Sequence, residues 1–172
     1  HEVADYWEQV IRINEHQTER FAKQIIKSLY NTVNGKKIAF LGWAFKKDTN
    51  DTRESAAIYV ADYLLDECAQ VVVYDPKVPK EKIYADLDFL GTRSSEENRK
   101  LVNVVDSAYE ACTDAAAVAI LTEWDEFVVL DWKQIHSQMK QPATLFDGRN
   151  ILNGEQLEKL GFRFQGIGKP GL

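Results

Sequence analysis

The sequence has no apolar run approaching the ~20 residues that a membrane-spanning helix needs, so it is not expected to cross a bilayer. It has only two cysteines, Cys68 and Cys112, with no CxxC and no Cys/His spacing suited to a metal. Both fall in apolar helical surroundings, which fits two reduced, buried thiols of a cytoplasmic protein. It has no excess of positive charge: 21 Lys and Arg against 27 Asp and Glu leave a net charge of −6. That balance disfavours nucleic acid as a partner, because a phosphate backbone wants a basic surface, yet it leaves room for a local basic pocket. No signal-peptide pattern opens the sequence, since Glu2, Asp5 and Glu8 interrupt it at once. The first residue is His1 rather than Met, so a longer chain is expected, with further function upstream. His16 and His136 have no nearby Cys or Ser partner, and no carboxylate pair sits at a plausible site. No catalytic residue is therefore assigned, and no covalent chemistry is expected of these residues alone.

What is there is a globular balance, with 45% hydrophobic and 28% charged residues over 172 positions. That is the size of one domain with an appended element. Residues 2–31 read as one long helix without Pro or Gly. Val3, Tyr6, Trp7, Val10 and Ile13 recur at helical spacing, and Phe21, Ala22, Ile25, Ile26 and Leu29 resume it after a polar stretch. Apolar residues at both ends suggest a connector docking on two bodies, stopped by Asn34-Gly35.

Beyond Gly35 strands and helices alternate. Strands are expected at Lys37–Gly42, Val71–Tyr74, Val102–Val105, Ala115–Leu121, Thr144–Phe146 and Phe162–Phe164, the last at an edge. Helices are expected at Ser55–Glu67, Pro79–Leu87, Asp131–Met139 and Gly154–Leu160, and Gly91–Arg99 reads as a polar surface loop. Unbroken runs of Val, Ile, Ala and Leu fit strands buried on both faces. The fold class is α/β: a Rossmann-like, mostly parallel sheet of five or six strands with helices on both faces, preceded by one long helix. Ligands then bind beyond the carboxyl ends of the strands, where the strand order reverses.

The loop after the first strand runs from Gly42 through Trp43, Phe45, Lys46, Lys47 and Arg53 to Ser55. One glycine cannot make the GxGxxG cradle of a dinucleotide site. Two lysines and an arginine in an acidic chain could instead grip a phosphate with side-chain cations. The competing reading is a solvated loop whose lysines pair with Asp48 and Asp51. Position at the carboxyl end of a strand tips the balance toward a ligand. Asp75 stands where a dinucleotide site would place its ribose-binding acid, but a turn-forming Asp-Pro is the safer reading. Trp124 and Phe127, after the fourth strand, read first as packing residues. Arg149 follows a tight Asp-Gly turn after the fifth strand, and ligand contact is preferred to a surface pair with Asp147.

In this order and spacing, KKIAFLGWAFKKDTNDTRES, VVVYDPKV, ILTEWDEF and FDGRNIL resemble the C-terminal domain of the UDP-glucose 6-dehydrogenases, most closely the animal ones. The resemblance covers essentially the whole chain. It implies two parts: residues 1–33, the long connecting helix from a central dimerisation domain, and residues 34–172, a UDP-binding domain. It also implies an NAD-dependent oxidation of UDP-glucose to UDP-glucuronate, in which an N-terminal Rossmann domain holds NAD. The catalytic cysteine of that family lies just upstream, and neither Cys68 nor Cys112 matches its motif. Phe45, Lys46 and Arg149 match positions that contact UDP-glucose, and Arg53 matches an arginine that reaches across to NAD. Trp43 stands where relatives often carry a smaller aromatic or another apolar residue, a change expected to alter packing under the loop more than chemistry. The expected partners are UDP-glucose and further copies of the chain, with no nucleic acid and no membrane. The alternatives are the same domain of a UDP-aminosugar or GDP-mannose dehydrogenase, a non-catalytic nucleotide-binding module, or an assembly domain built on the long helix.

Overall fold

The computed structural model describes residues 2–167; within the first helix the side chains described are those of Val3 and of His16 onward. That helix, α1, spans Glu2–Ser28. The strands are β1 (Lys37–Leu41), β2 (Gln70–Tyr74), β3 (Val102–Val104), β4 (Ala117–Ile120), β5 (Thr144–Asp147) and β6 (Arg163–Gly166). They form one sheet in the order β3-β2-β1-β4-β5-β6, and every neighbouring pair is parallel. The expected mostly parallel sheet is thus wholly parallel among the described residues. All four residues of β4 are buried, as are four of the five in β1. Successive side chains of a strand point to opposite faces, so this burial requires cover on both sides of the sheet.

The remaining helices are α2 (Ala56–Asp66), α3 (Lys80–Leu90), α4 (Ser95–Leu101), α5 (Ala108–Cys112), α6 (Asp125–Val128), α7 (Trp132–Gln138) and α8 (Gly154–Lys159). α2 buries Ala57, Ile58, Val60, Ala61, Leu64 and Leu65. α1 adds Ala22 and Ile25 to the same core, Leu29 joins them just past its end, and Phe21 stands edge-on against Phe146 with ring centroids 6.3 Å apart. The second half of the long helix therefore packs on the α/β body. The earlier stripe of Tyr6, Trp7, Val10 and Ile13 lies outside the described side chains, and Val3 is exposed.

Three expectations need correction. The helix does not run to residue 31. It ends at Ser28 because Tyr30 and Asn31 both adopt left-handed backbone (φ 64° and 65°), closed by Asn31 N–H donating to the Ile26 carbonyl at 3.0 Å. Gly35 serves the next turn, where its N–H meets the Cys68 carbonyl at 2.9 Å. The Gly91–Arg99 stretch is not a bare loop but leads into α4. The Ser94 hydroxyl accepts the Glu97 N–H, and the Glu97 carboxylate accepts the Ser94 N–H in return, a reciprocal cap that starts a helix of polar residues. Finally, Cys68 is exposed at a left-handed position (φ 63°) just past α2, whereas Cys112 is buried as expected.

Candidate functional site at the carboxyl edge of the sheet

The strand order reverses between β1 and β4, so the loops that leave these strands flank the site expected in such a sheet. Tyr74, Leu41, Ile120 and Asp147 form one rung across β2, β1, β4 and β5. The loops that follow therefore start level with one another. Those after β1 and β5 are two strand spacings apart, about 10 Å, within reach of two long side chains and one ligand.

Two glycines let the loops close together. Gly42 has φ +102°, and a Cβ there would lie 2.6 Å from the Thr122 backbone nitrogen. A Cβ on Gly148 would lie 2.6 Å from the Ile120 carbonyl oxygen, whose partner is the Gly148 N–H at 3.0 Å. The Thr122 hydroxyl donates to the Ala44 carbonyl at 2.7 Å and pins the loop after β1 to the loop after β4.

Asp75 organises this end of the sheet. Its Oδ2 accepts the backbone N–H of Trp43 (2.7 Å) and Ala44 (2.9 Å) and the indole N–H of Trp124 (3.1 Å). Its Oδ1 accepts the N–H of Lys77 (2.9 Å) and Val78 (3.0 Å). Five donors leave the carboxylate committed, so the turn-forming reading of Asp75 holds. With neither a glycine cradle nor a spare acid, these residues do not fit a complete dinucleotide site. Trp124 and Phe127 are buried packing residues, as the sequence suggests.

Trp43 is completely buried beneath the loop, with its indole N–H on Asp86 at 3.0 Å and its carbonyl accepting the Ser55 hydroxyl at 2.7 Å. Above it the chain turns back, with Phe45 N–H on the Asp51 carbonyl at 2.8 Å. This turn presents Phe45, 49% exposed, and Lys46, which has no ion-pair partner among the described residues. Lys47 pairs with Asp125 at 3.2 Å rather than with Asp48 or Asp51. Arg53 instead takes Asp51 in a two-pronged pair (3.1 and 2.9 Å). Hydrogen bonds from that guanidinium, then one from the Arg53 backbone N–H at 3.0 Å, and the arginine's charge hold the Asp51 carboxyl down at about 2.

Arg149 is set by Asp147, a fully buried carboxylate that accepts the N–H of Arg149 (3.1 Å) and of Leu152 (2.8 Å). Its guanidinium does not pair with Asp147; it pairs with Glu123. The same Glu123 accepts the Lys47 N–H at 2.8 Å, so one side chain joins the loops of β1 and β5. Phe45, Lys46 and Arg149 thus share one end of the sheet, while Arg53 stands on the outer surface with its side chain 88% exposed. Sequence reading passed over Thr122 and Glu123, although polar residues ending a strand beside the reversal point were a usable signal. Among the described residues no group of three or more metal-ligating side chains forms, and no helix is long and apolar enough to cross a membrane.

Comparison with known proteins matches residues 39–154 to the UDP binding domain of the UDP-glucose/GDP-mannose dehydrogenase family. The UDP-glucose 6-dehydrogenase of Bos taurus is 52% identical over 98% of this chain and 34% of its own length; that of Drosophila melanogaster is 52% identical over 98% and 36%. The chain thus spans about a third of the curated relatives it matches. Among solved structures, an NDP-N-acetyl-D-galactosaminuronic acid dehydrogenase from Methanosarcina mazei superimposes with TM-score 0.70 at 25% identity, covering 91% of this chain and 30% of that one. A UDP-glucose dehydrogenase from Pyrobaculum islandicum gives 0.63 at 26%, covering 90% and 32%.

Proposed function

The chain belongs to the UDP-glucose/GDP-mannose dehydrogenase family through its UDP-binding domain, and from that premise we propose that it is the substrate-holding C-terminal part of a UDP-glucose 6-dehydrogenase. Its task is to grip the UDP portion of UDP-glucose while a separate part of the enzyme, holding NAD and a catalytic cysteine, oxidises the sugar to a uronate. The observation that carries this reading is the convergence of two cationic loops at one end of the sheet: Lys46 after β1 and Arg149 after β5, with a single strand between them.

In this reading the diphosphate lies between Lys46 and Arg149. A permanently charged planar guanidinium binds phosphate or sugar oxygens in two places, and an ammonium adds a point charge without fixed direction. Phe45 offers an exposed apolar face beside them. Arg53 faces outward and reaches to NAD held elsewhere, once it releases Asp51. NAD supplies hydride acceptance, and this chain contributes only that one contact. Residues 1–33 are read as the connecting helix and 34–172 as the binding domain, in a cytoplasmic enzyme that assembles from several copies. The 52% identity to UDP-glucose 6-dehydrogenases favours UDP-glucose over UDP-aminosugars or GDP-mannose.

The test is calorimetric titration of UDP into the chain. Wild type should bind weakly, and Lys46→Ala with Arg149→Ala should abolish binding. Equal affinity in the double variant would refute the site. The chain alone should not reduce NAD with UDP-glucose, and turnover by pure material would refute its assignment as the substrate-holding part only.

A further inference from the structure

The two cationic loops have no direct ladder between them, because β4 separates β1 from β5. Their contact at the open end of the sheet passes through Glu123 in the loop after β4. One carboxylate oxygen accepts the Lys47 N–H, fixing the turn that carries Phe45 and Lys46. The other pairs with the Arg149 guanidinium. The pair is partly shielded, with side chains 34% exposed for Arg149 and 24% for Glu123. The carboxylate's own position is held from both sides in the chain: Thr122 is pinned to the Ala44 carbonyl, and the Trp124 indole to Asp75.

We propose that Glu123 is a positioning residue for the nucleotide sugar. Its carboxylate holds Arg149 and the Lys46 turn in one geometry before the diphosphate arrives. This rests on the reading of Lys46 and Arg149 as ligand residues and explains how two loops on non-adjacent strands act as one site. A guanidinium has five N–H donors, so a carboxylate on one edge leaves others for phosphate or sugar oxygens. An arginine already ordered loses less freedom when the ligand binds. The opposite role, a carboxylate that occupies the anion's place and must swing out, fits less well. Departure would give up the Lys47 N–H together with the guanidinium, two partners at once, and the backbone on both sides of Glu123 is fixed.

The experiment measures UDP affinity by calorimetry for wild type, E123Q, E123A, R149A and E123A/R149A. E123A should weaken UDP binding by about tenfold, the scale of a lost hydrogen bond to a charged group. E123Q keeps an acceptor for the Lys47 N–H and should fall between wild type and E123A. In the R149A background E123A should add little, because the two side chains act through one contact. A purely structural role would instead lower the melting temperature and add its full effect to that of R149A, which would overturn the proposal. Tighter or unchanged binding by E123A and E123Q would also overturn it, the first outcome marking the carboxylate as a competitor. Wild type that does not bind UDP would refute the UDP-binding reading itself and this proposal with it; wild-type binding with inert Glu123 variants would refute this proposal alone.

Discussion

Removing the Asp75 carboxylate should damage the fold rather than remove a ligand contact. In Asp75→Ala five N–H donors lose their acceptor, and four of them, the Trp43, Ala44 and Val78 amides and the Trp124 indole, belong to buried residues. The Lys77 amide sits in an exposed turn where water can replace the carboxylate. A stranded buried donor costs about 1–3 kcal/mol. Allowing for relaxation, four such donors put the loss at about 4–5 kcal/mol, a large share of the ~5–15 kcal/mol that a domain has. Asp75→Asn keeps one oxygen for the three donors on Oδ2 and turns its amide toward Lys77 and Val78, so it should lose less, about 1–3 kcal/mol. Urea unfolding followed by tryptophan fluorescence measures both. The Ala variant should shift the midpoint by about 2 M at an unchanged slope, given a slope of about 2 kcal/mol per M. The melting temperature should fall by roughly 10 °C. A loss under about 1 kcal/mol for Asp75→Ala, or a larger loss for Asn than for Ala, would refute the account of this carboxylate as the knot of the sheet's carboxyl end.

Burial pushes the Cys112 thiol up to about 12 while Cys68 is exposed. A thiol reagent at pH 8 should therefore label one cysteine in the native chain and two in denaturant; rapid labelling of both when native would contradict the packing of α5. Gly42→Ala should cost about 3 kcal/mol or more, because it combines a φ of +102° with a clash against Thr122. Gly35→Ala, at φ +70° with open space around the new Cβ, should cost only about 1 kcal/mol, and equal losses for the two would exclude the steric argument. The Asp51 carboxyl, depressed from 3.8 to about 2 by Arg53, gives its stabilisation above the ordinary value and loses it as pH falls through about 2. Its carboxyl resonance should titrate near that lower value by NMR and rise part of the way toward 3.8 in Arg53→Ala, which keeps the backbone N–H on the carboxylate; a midpoint indifferent to the substitution would show that the side-chain pair does not persist in solution.

Periodicity and run length alone determined the alternation of elements, the parallel sheet, and which loops leave its carboxyl edge. Both signals are local, and buried parallel strands print them plainly in Val-, Ile- and Ala-rich runs such as AVAI and VVVY. The cap that starts α4 was also local, in Ser94 and Glu97, although the polar character of the stretch masked it. The early end of α1 was not legible, because Tyr30 and Asn31 take left-handed backbone where Leu29 and Val33 dive into the core. Nor was the fate of the charges. Which carboxylate meets which cation depends on strands far apart in sequence and adjacent in space. Only the tertiary structure commits Asp75 to five donors, gives Arg53 to Asp51, and sets Glu123 between Lys47 and Arg149. A side chain's partner is chosen by what the sheet order brings within about 3 Å, and residue spacing carries no record of that distance.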